Sequence, residues 1–138
     1  MGNLTLTMIK PDAMQAGNAG KVMDRFIQAG FSLKAMRLLH LSVADAQAFY
    51  AVHKERPFFN ELVAYMSSGP IIAIVLEQEN AVERFRELIG ATNPKEAAEG
   101  TIRKDFGTSI EANAVHGSDS DENALKEAHF FFSSLEMV

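Results

Sequence analysis

Six apolar residues in a row, Ile71-Ile72-Ala73-Ile74-Val75-Leu76, set the hardest condition on the fold. No polar residue interrupts the run, so a strand here has no face to give to water and must be covered on both sides. Ser67-Ser68-Gly69-Pro70 breaks the chain just before it. The run is also far too short for a membrane span, which needs ~18 residues. The rest of the chain must therefore supply partner strands and covering helices. Its 138 residues, with 10 phenylalanines among them, suit a single domain over residues 1–138.

Those partners can be read on either side. Leu4, Leu6 and Met8 alternate with Thr5, Thr7 and Ile9, a strand with two different faces that Lys10-Pro11-Asp12 ends. Asn18 opens a helix striped by Val22, Phe26 and Ala29. Phe31, Leu33 and Ala35 begin a second strand. Ser42 starts a helical stretch to about His53, and after Pro57 a second helix runs from Phe59 to Met66. Beyond the apolar run, Asn80 and Glu83 resemble a capping box ahead of Val82, Phe85 and Ile89. Gly90 to about Ser118 shows no sustained period, a length that means either a functional loop or regular structure misread as loop. A helix from Asp119 or Ser120 to Ala128 and a short strand at Phe130-Phe131-Phe132 close the chain. The order predicts an α+β fold of ferredoxin-like βαββαβ plan. Its four-stranded antiparallel sheet carries helices packed on one face, a helical-hairpin insertion, and a long loop before His116.

Composition narrows the chemistry. Thirteen Lys and Arg against 18 Asp and Glu give a net charge of −5, which argues against a nucleic-acid coat. The absence of cysteine removes disulfides and thiolate metal sites. The first residues lack the basic-then-apolar layout of a secretory leader, so a cytoplasmic location is expected. Gly17-Asn18-Ala19-Gly20-Lys21 is only a fragment of a P-loop, because its glycines are too close and Val22 replaces the magnesium-binding hydroxyl. No two of His40, His53, His116 and His129 share one helix at metal-ligand spacing, so no protein metal site is expected. His53 reads as a solvated residue. His116 differs, standing at the end of the long loop with Gly117 beside it and helix-capping groups after it. Lys10, Arg86 and Arg103 are the cations that would gather an anion near it.

Thr7-Met8-Ile9-Lys10-Pro11-Asp12, Gly90-Ala91-Thr92-Asn93-Pro94, Gly100-Thr101-Ile102-Arg103-Lys104-Asp105-Phe106 and Asn113-Ala114-Val115-His116-Gly117-Ser118-Asp119-Ser120 occur in this order along the chain. Together they resemble the nucleoside diphosphate kinase family. The resemblance implies that the γ-phosphate of a nucleoside triphosphate passes to Nδ1 of His116 and then to a nucleoside diphosphate. It implies that Glu127 orients His116, with Ser118 in the same cluster. Lys10, Arg86, Arg103 and Thr92 would hold the phosphates, and Tyr50 the transferred group. Lys10 and Asn113 would reach the sugar, while Phe58 stacks on the base with Leu62 and Ile110 beside it. Mg²⁺ would arrive with the nucleotide.

The same resemblance implies a homo-oligomer, a tetramer or hexamer built on a dimer, needing neither membrane nor nucleic acid. Glu99 stands where many members carry proline. Two other classes fit the fold: an RNA-recognition domain, which the charge and the missing aromatic RNP run oppose, and a nucleotide-binding or phosphocarrier module without exchange activity.

Overall fold

A computed structural model describes residues 2–138. Strand β1 (Leu4–Ile9) is followed by a short helix α1 (Pro11–Gln15), helix α2 (Ala19–Gln28) and strand β2 (Ser32–Leu39). Helices α3 (Val43–Phe49) and α4 (Phe59–Met66) form the inserted pair, joined through a 3-10 turn at Ala51–His53. Strand β3 (Ile71–Glu77) and helix α5 (Ala81–Ile89) come next. Helix α6 (Ile102–Phe106), strand β4 (Val115–Gly117), helix α7 (Asp121–Phe131) and a 3-10 turn at Ser134–Glu136 complete the chain. The four strands pair antiparallel in the order β2-β3-β1-β4, the arrangement expected of the ferredoxin-like plan.

The apolar run lies in β3, one of the two inner strands, and from Ala73 to Leu76 it is wholly buried. Helices cover both faces rather than one. Leu6, Met8, Ala73 and Val75 pack with Ala46 of α3, Val63 and Met66 of α4, and Ala128 and Phe131 of α7. Ile9, Ile74 and Leu76 pack on the other face with Phe26 of α2 and Phe85 and Ile89 of α5. Burying apolar area on both sides at ~25 cal/mol per Å² is what offsets the entropy of ordering so short a chain. The helical insertion and α7 supply the second cover.

Two expected elements change. Phe130-Phe131-Phe132 is not a strand: α7 runs on to Phe131, continuing the buried series Ala124, Ala128, Phe131 at helical spacing. The fourth strand is Val115–Gly117, inside the long loop, where Met8 pairs with His116 and Ile9 with Val115. Asn80 also makes no capping box. It takes φ +54, and its side-chain amide donates to Glu83 at 3.0 Å instead of accepting from the helix.

Candidate active site

The candidate site stands where β1 ends and β4 begins, beside the long loop. Gly117 lets β4 approach α5 closely. A Cβ there would lie 2.9 Å from Ile89 Cδ1 and 3.3 Å from Phe85 Cδ2, so any larger residue would push the histidine strand away. A cleft of about 530 Å³ opens over this junction, and Lys10, Tyr50, Phe58, Leu62, Arg86, Thr92, Arg103, Ile110, Asn113 and His116 all line it. These residues come from β1, α5, α6, β4, the inserted helices and the loops around them. His53, taken as a plain surface residue, also lines the cleft, with its ring centroid 5.6 Å from that of Phe58.

His116 is held on its far side. Its Nε2 lies 2.8 Å from Glu127 Oε1, and Ser118 Oγ donates to the same oxygen at 2.8 Å. Ser118 is fully buried and accepts from the Leu6 amide at 3.2 Å, so the cluster is fastened to β1. Phe49 sets its ring edge-on to the imidazole, with centroids 5.5 Å apart. A carboxylate at Nε2 requires the proton there, which leaves Nδ1 of the neutral ring with its lone pair. That is the arrangement of a nitrogen nucleophile.

The floor of the cleft is cationic. Lys10 is only 7% exposed, and its Nζ donates to Asn113 Oδ1 at 2.8 Å and toward the Glu111 carbonyl at 3.4 Å. Burial, and then the charge of Arg103, press its pKa down to about 8. Arg103 is as deeply placed. Its Nη1 and Nη2 donate to the carbonyls of Gly90 and Val115 at 3.1 and 2.9 Å, which fixes the guanidinium plane. Burial and the nearby Arg86 lower its pKa to about 10. Neither Lys10 nor Arg103 forms an ion pair with a carboxylate among the described residues.

The buried Arg103 Nε and Tyr50 hydroxyl have no hydrogen-bond partner among the described residues. Burial raises the Tyr50 pKa, with Glu127 adding to it, so the phenol keeps its proton. Buried cations without carboxylate partners, beside two donors without acceptors, fit a polyanion. Asn113 donates through Nδ2 to the Thr92 carbonyl at 3.0 Å and ties that loop to Lys10. At the mouth, Phe58 and Ile110 are 46% and 60% exposed, an open apolar slot beside Leu62.

Sequence reasoning missed Asp12 and Tyr65. In the sequence Lys10-Pro11-Asp12 reads as the end of a strand, yet the Asp12 carboxylate accepts from the Ala114 amide at 3.0 Å and from the Tyr65 hydroxyl at 2.6 Å. No group of three His, Asp or Glu side chains that could hold a metal occurs among the described residues. No described helix is long and apolar enough to cross a membrane.

Known proteins share this sequence and architecture. A family model described as nucleoside diphosphate kinase matches residues 3–137. The chain is 61% identical over 133 residues to the nucleoside diphosphate kinase of Campylobacter concisus, covering 96% of this chain and 97% of that one. It is 60% identical over 134 residues to the enzyme of Flavobacterium psychrophilum, covering 97% and 96%. A crystal structure of the Aquifex aeolicus nucleoside diphosphate kinase superimposes with a TM-score of 0.97 at 52% identity, over 99% of each chain. The Halobacterium salinarum enzyme, solved in complex with CDP, gives 0.94 at 35% identity, over 100% of this chain and 92% of that one. On a match of this length and identity, the chain belongs to the nucleoside diphosphate kinase family.

Proposed function

We propose that this chain, acting as one catalytic domain, moves the γ-phosphate of a nucleoside triphosphate, typically ATP, onto His116 and then onto a second nucleoside diphosphate. The observation that carries the residue assignment is the 2.8 Å contact of Nε2 with Glu127, which turns Nδ1 free toward a cleft lined by Lys10, Arg86 and Arg103. In the first half-reaction the Nδ1 lone pair bonds to the γ-phosphorus. The bond to the bridging oxygen breaks, and the diphosphate leaves with that electron pair. In the second, a terminal oxygen of another diphosphate attacks the phosphohistidine and Nδ1 recovers its lone pair. Glu127 stabilises positive charge on the ring while it carries phosphate.

Phosphoryl transfer asks the protein for placement and charge. Lys10, Arg86, Arg103 and Thr92 hold the phosphates, and the Tyr50 hydroxyl donates to the transferred group. Lys10 and Asn113 hold the sugar hydroxyls. Mg²⁺ bound with the nucleotide would neutralise phosphate charge, and no side chain of this chain is assigned to hold it. Phe58, Leu62 and Ile110 meet the base through its faces, which all bases share, so specificity is broad. The active form is a homo-oligomer built on a dimer, located in the cytoplasm and needing no nucleic acid.

Incubation with γ-labelled ATP tests the reading. Acid-labile, alkali-stable label should appear on the wild-type chain and discharge to any added nucleoside diphosphate. His116→Ala should fold, bind nucleotide and take no label. Label retained by that variant would overturn the assignment, and label that no diphosphate can remove would leave a phosphocarrier.

A further inference from the structure

Ala114 is a fully buried, non-glycine residue at φ +75, two positions before His116. The Val115 amide donates to the Asn113 carbonyl at 2.9 Å across it, so Ala114 is the centre of a γ-turn of the rare, strained hand. An L-residue leaves that conformation unless its surroundings over-determine it. The surroundings here are specific. The Ala114 carbonyl accepts from the Lys10 amide at 2.8 Å, and the Ala114 amide donates to Asp12 Oδ2 at 3.0 Å. Asp12 is gripped in turn by Tyr65, whose hydroxyl donates to Oδ1 at 2.6 Å and accepts from the Asp12 amide at 2.9 Å.

The turn separates two working groups. On one side Asn113 joins Lys10 and Thr92; on the other Val115 and His116 enter β4 against Ile9 and Met8. A relaxed Ala114 would change the spacing between the sugar-binding amide and the nucleophile. Tyr65 stands on α4, the helix that also carries Leu62 of the base slot. We propose that Asp12 and Tyr65 are positioning residues that lock the strained turn at Ala114, and so set His116 in register with a nucleotide bound at Asn113 and along α4. This inference rests on His116 being the nucleophile. Neither Asp12 nor Tyr65 lines the cleft; both act through Ala114.

The test is a double-mutant cycle read by single-turnover labelling of His116 from γ-labelled ATP, with ADP affinity measured beside it. Asp12→Ala and Tyr65→Phe should slow labelling at saturating ATP by about tenfold to a hundredfold, the loss a small misplacement of a reacting group brings. ADP affinity should fall by less than the rate. Asp12→Asn, which keeps an acceptor for the Ala114 amide, should retain more of the rate than Asp12→Ala. Glycine adopts positive φ without strain, so Asp12→Ala and Tyr65→Phe should cost much less in an Ala114→Gly background. Wild-type labelling with equal losses in both backgrounds would overturn the inference alone, as would lowered melting temperatures at an unchanged labelling rate. No label on the wild-type chain would overturn the phosphohistidine reading, and this inference with it.

Discussion

At the scale of the residue, Lys10 carries the clearest expectation. Its charge is lost as pH rises through its pKa, which burial and Arg103 hold at about 8 instead of the usual value. In the phosphate site proposed for it, Lys10 of the free enzyme is therefore charged at neutral pH and increasingly uncharged above about 8. A bound polyanion favours the charged form, so the effect belongs to capture of substrate rather than to the bound complex. The profile of kcat/KM for ATP should fall above about pH 8 while kcat holds to higher pH. Lys10→Arg, charged at every accessible pH, should abolish that decline even if its overall activity is lower. A wild-type profile flat to high pH would mean that Lys10 keeps its charge in the free enzyme. Glu127→Gln makes a different prediction: labelling should slow more than nucleotide affinity falls, because the carboxylate faces Nε2 and not the cleft. Unchanged turnover would reduce Glu127 to an ordinary helix residue. His116, Lys10 and Arg103 stand in local runs legible in the sequence, whereas Arg86, Phe58, Leu62 and Ile110 lie outside those runs and take their roles only from the family resemblance. Asp12 and Tyr65 could not be found, because their bond joins residues 53 positions apart and leaves no periodic trace.

At the scale of the element, Ala98–Thr101 is a turn with a defined geometry. The Thr101 amide donates to the Ala98 carbonyl at 3.2 Å, and Gly100, third of the four residues, has φ +87. Those are the marks of a type II turn, whose second position prefers proline. That position is Glu99, whose amide donates to no backbone carbonyl. Glu99→Pro should therefore stabilise by ~0.4–1 kcal/mol, chiefly by restricting the unfolded chain. Calorimetry should record a rise of a few degrees with turnover unchanged; a lower melting temperature would mean that the backbone at Glu99 departs from the turn. The same reasoning explains which elements the sequence announces. β1, β3 and the longer helices have six or more residues of period to read, whereas α1 and α6, of five residues each, fall where the pattern announces no helix. β4 has three residues and pairs only with β1, so nothing in its own pattern marks it. Phe130-Phe131-Phe132 has strong β propensity, but burying Phe131 beneath the helix on the face that already holds Ala128 overrides it.

At the scale of the whole molecule, the exposed surface is uneven. β2 is an edge strand, and Met36 and Leu38 stand opposite Ile74 and Ile72 of β3, on the face that α2 and α5 cover farther along the sheet. The helices do not reach them: Met36 is 53% exposed and Leu38 66%. The C-terminal segment braces the strand elsewhere: the Val138 amide donates to the Lys34 carbonyl at 2.8 Å, and Arg37, opposite Ala73 on the other face, pairs with Glu136 and donates to the Phe131 carbonyl at 3.0 Å. An open edge with apolar side chains is a liability in a lone chain and an asset in an assembly. A second copy is the occupant our oligomer proposal requires, because two-fold symmetry brings the same strand from each chain to one seam. Light scattering over a dilution series should show nothing smaller than a dimer at micromolar concentration. Leu38→Glu separates the alternatives: on a monomer, an exposed residue changed to glutamate shifts stability by less than ~0.5 kcal/mol and leaves the mass alone. At a seam it buries two facing carboxylates, so the species should become smaller at the same concentration and melt at a lower temperature. A wild-type chain that is monomeric and fully active at micromolar concentration would refute the assembly, and leave Met36 and Leu38 as ordinary surface.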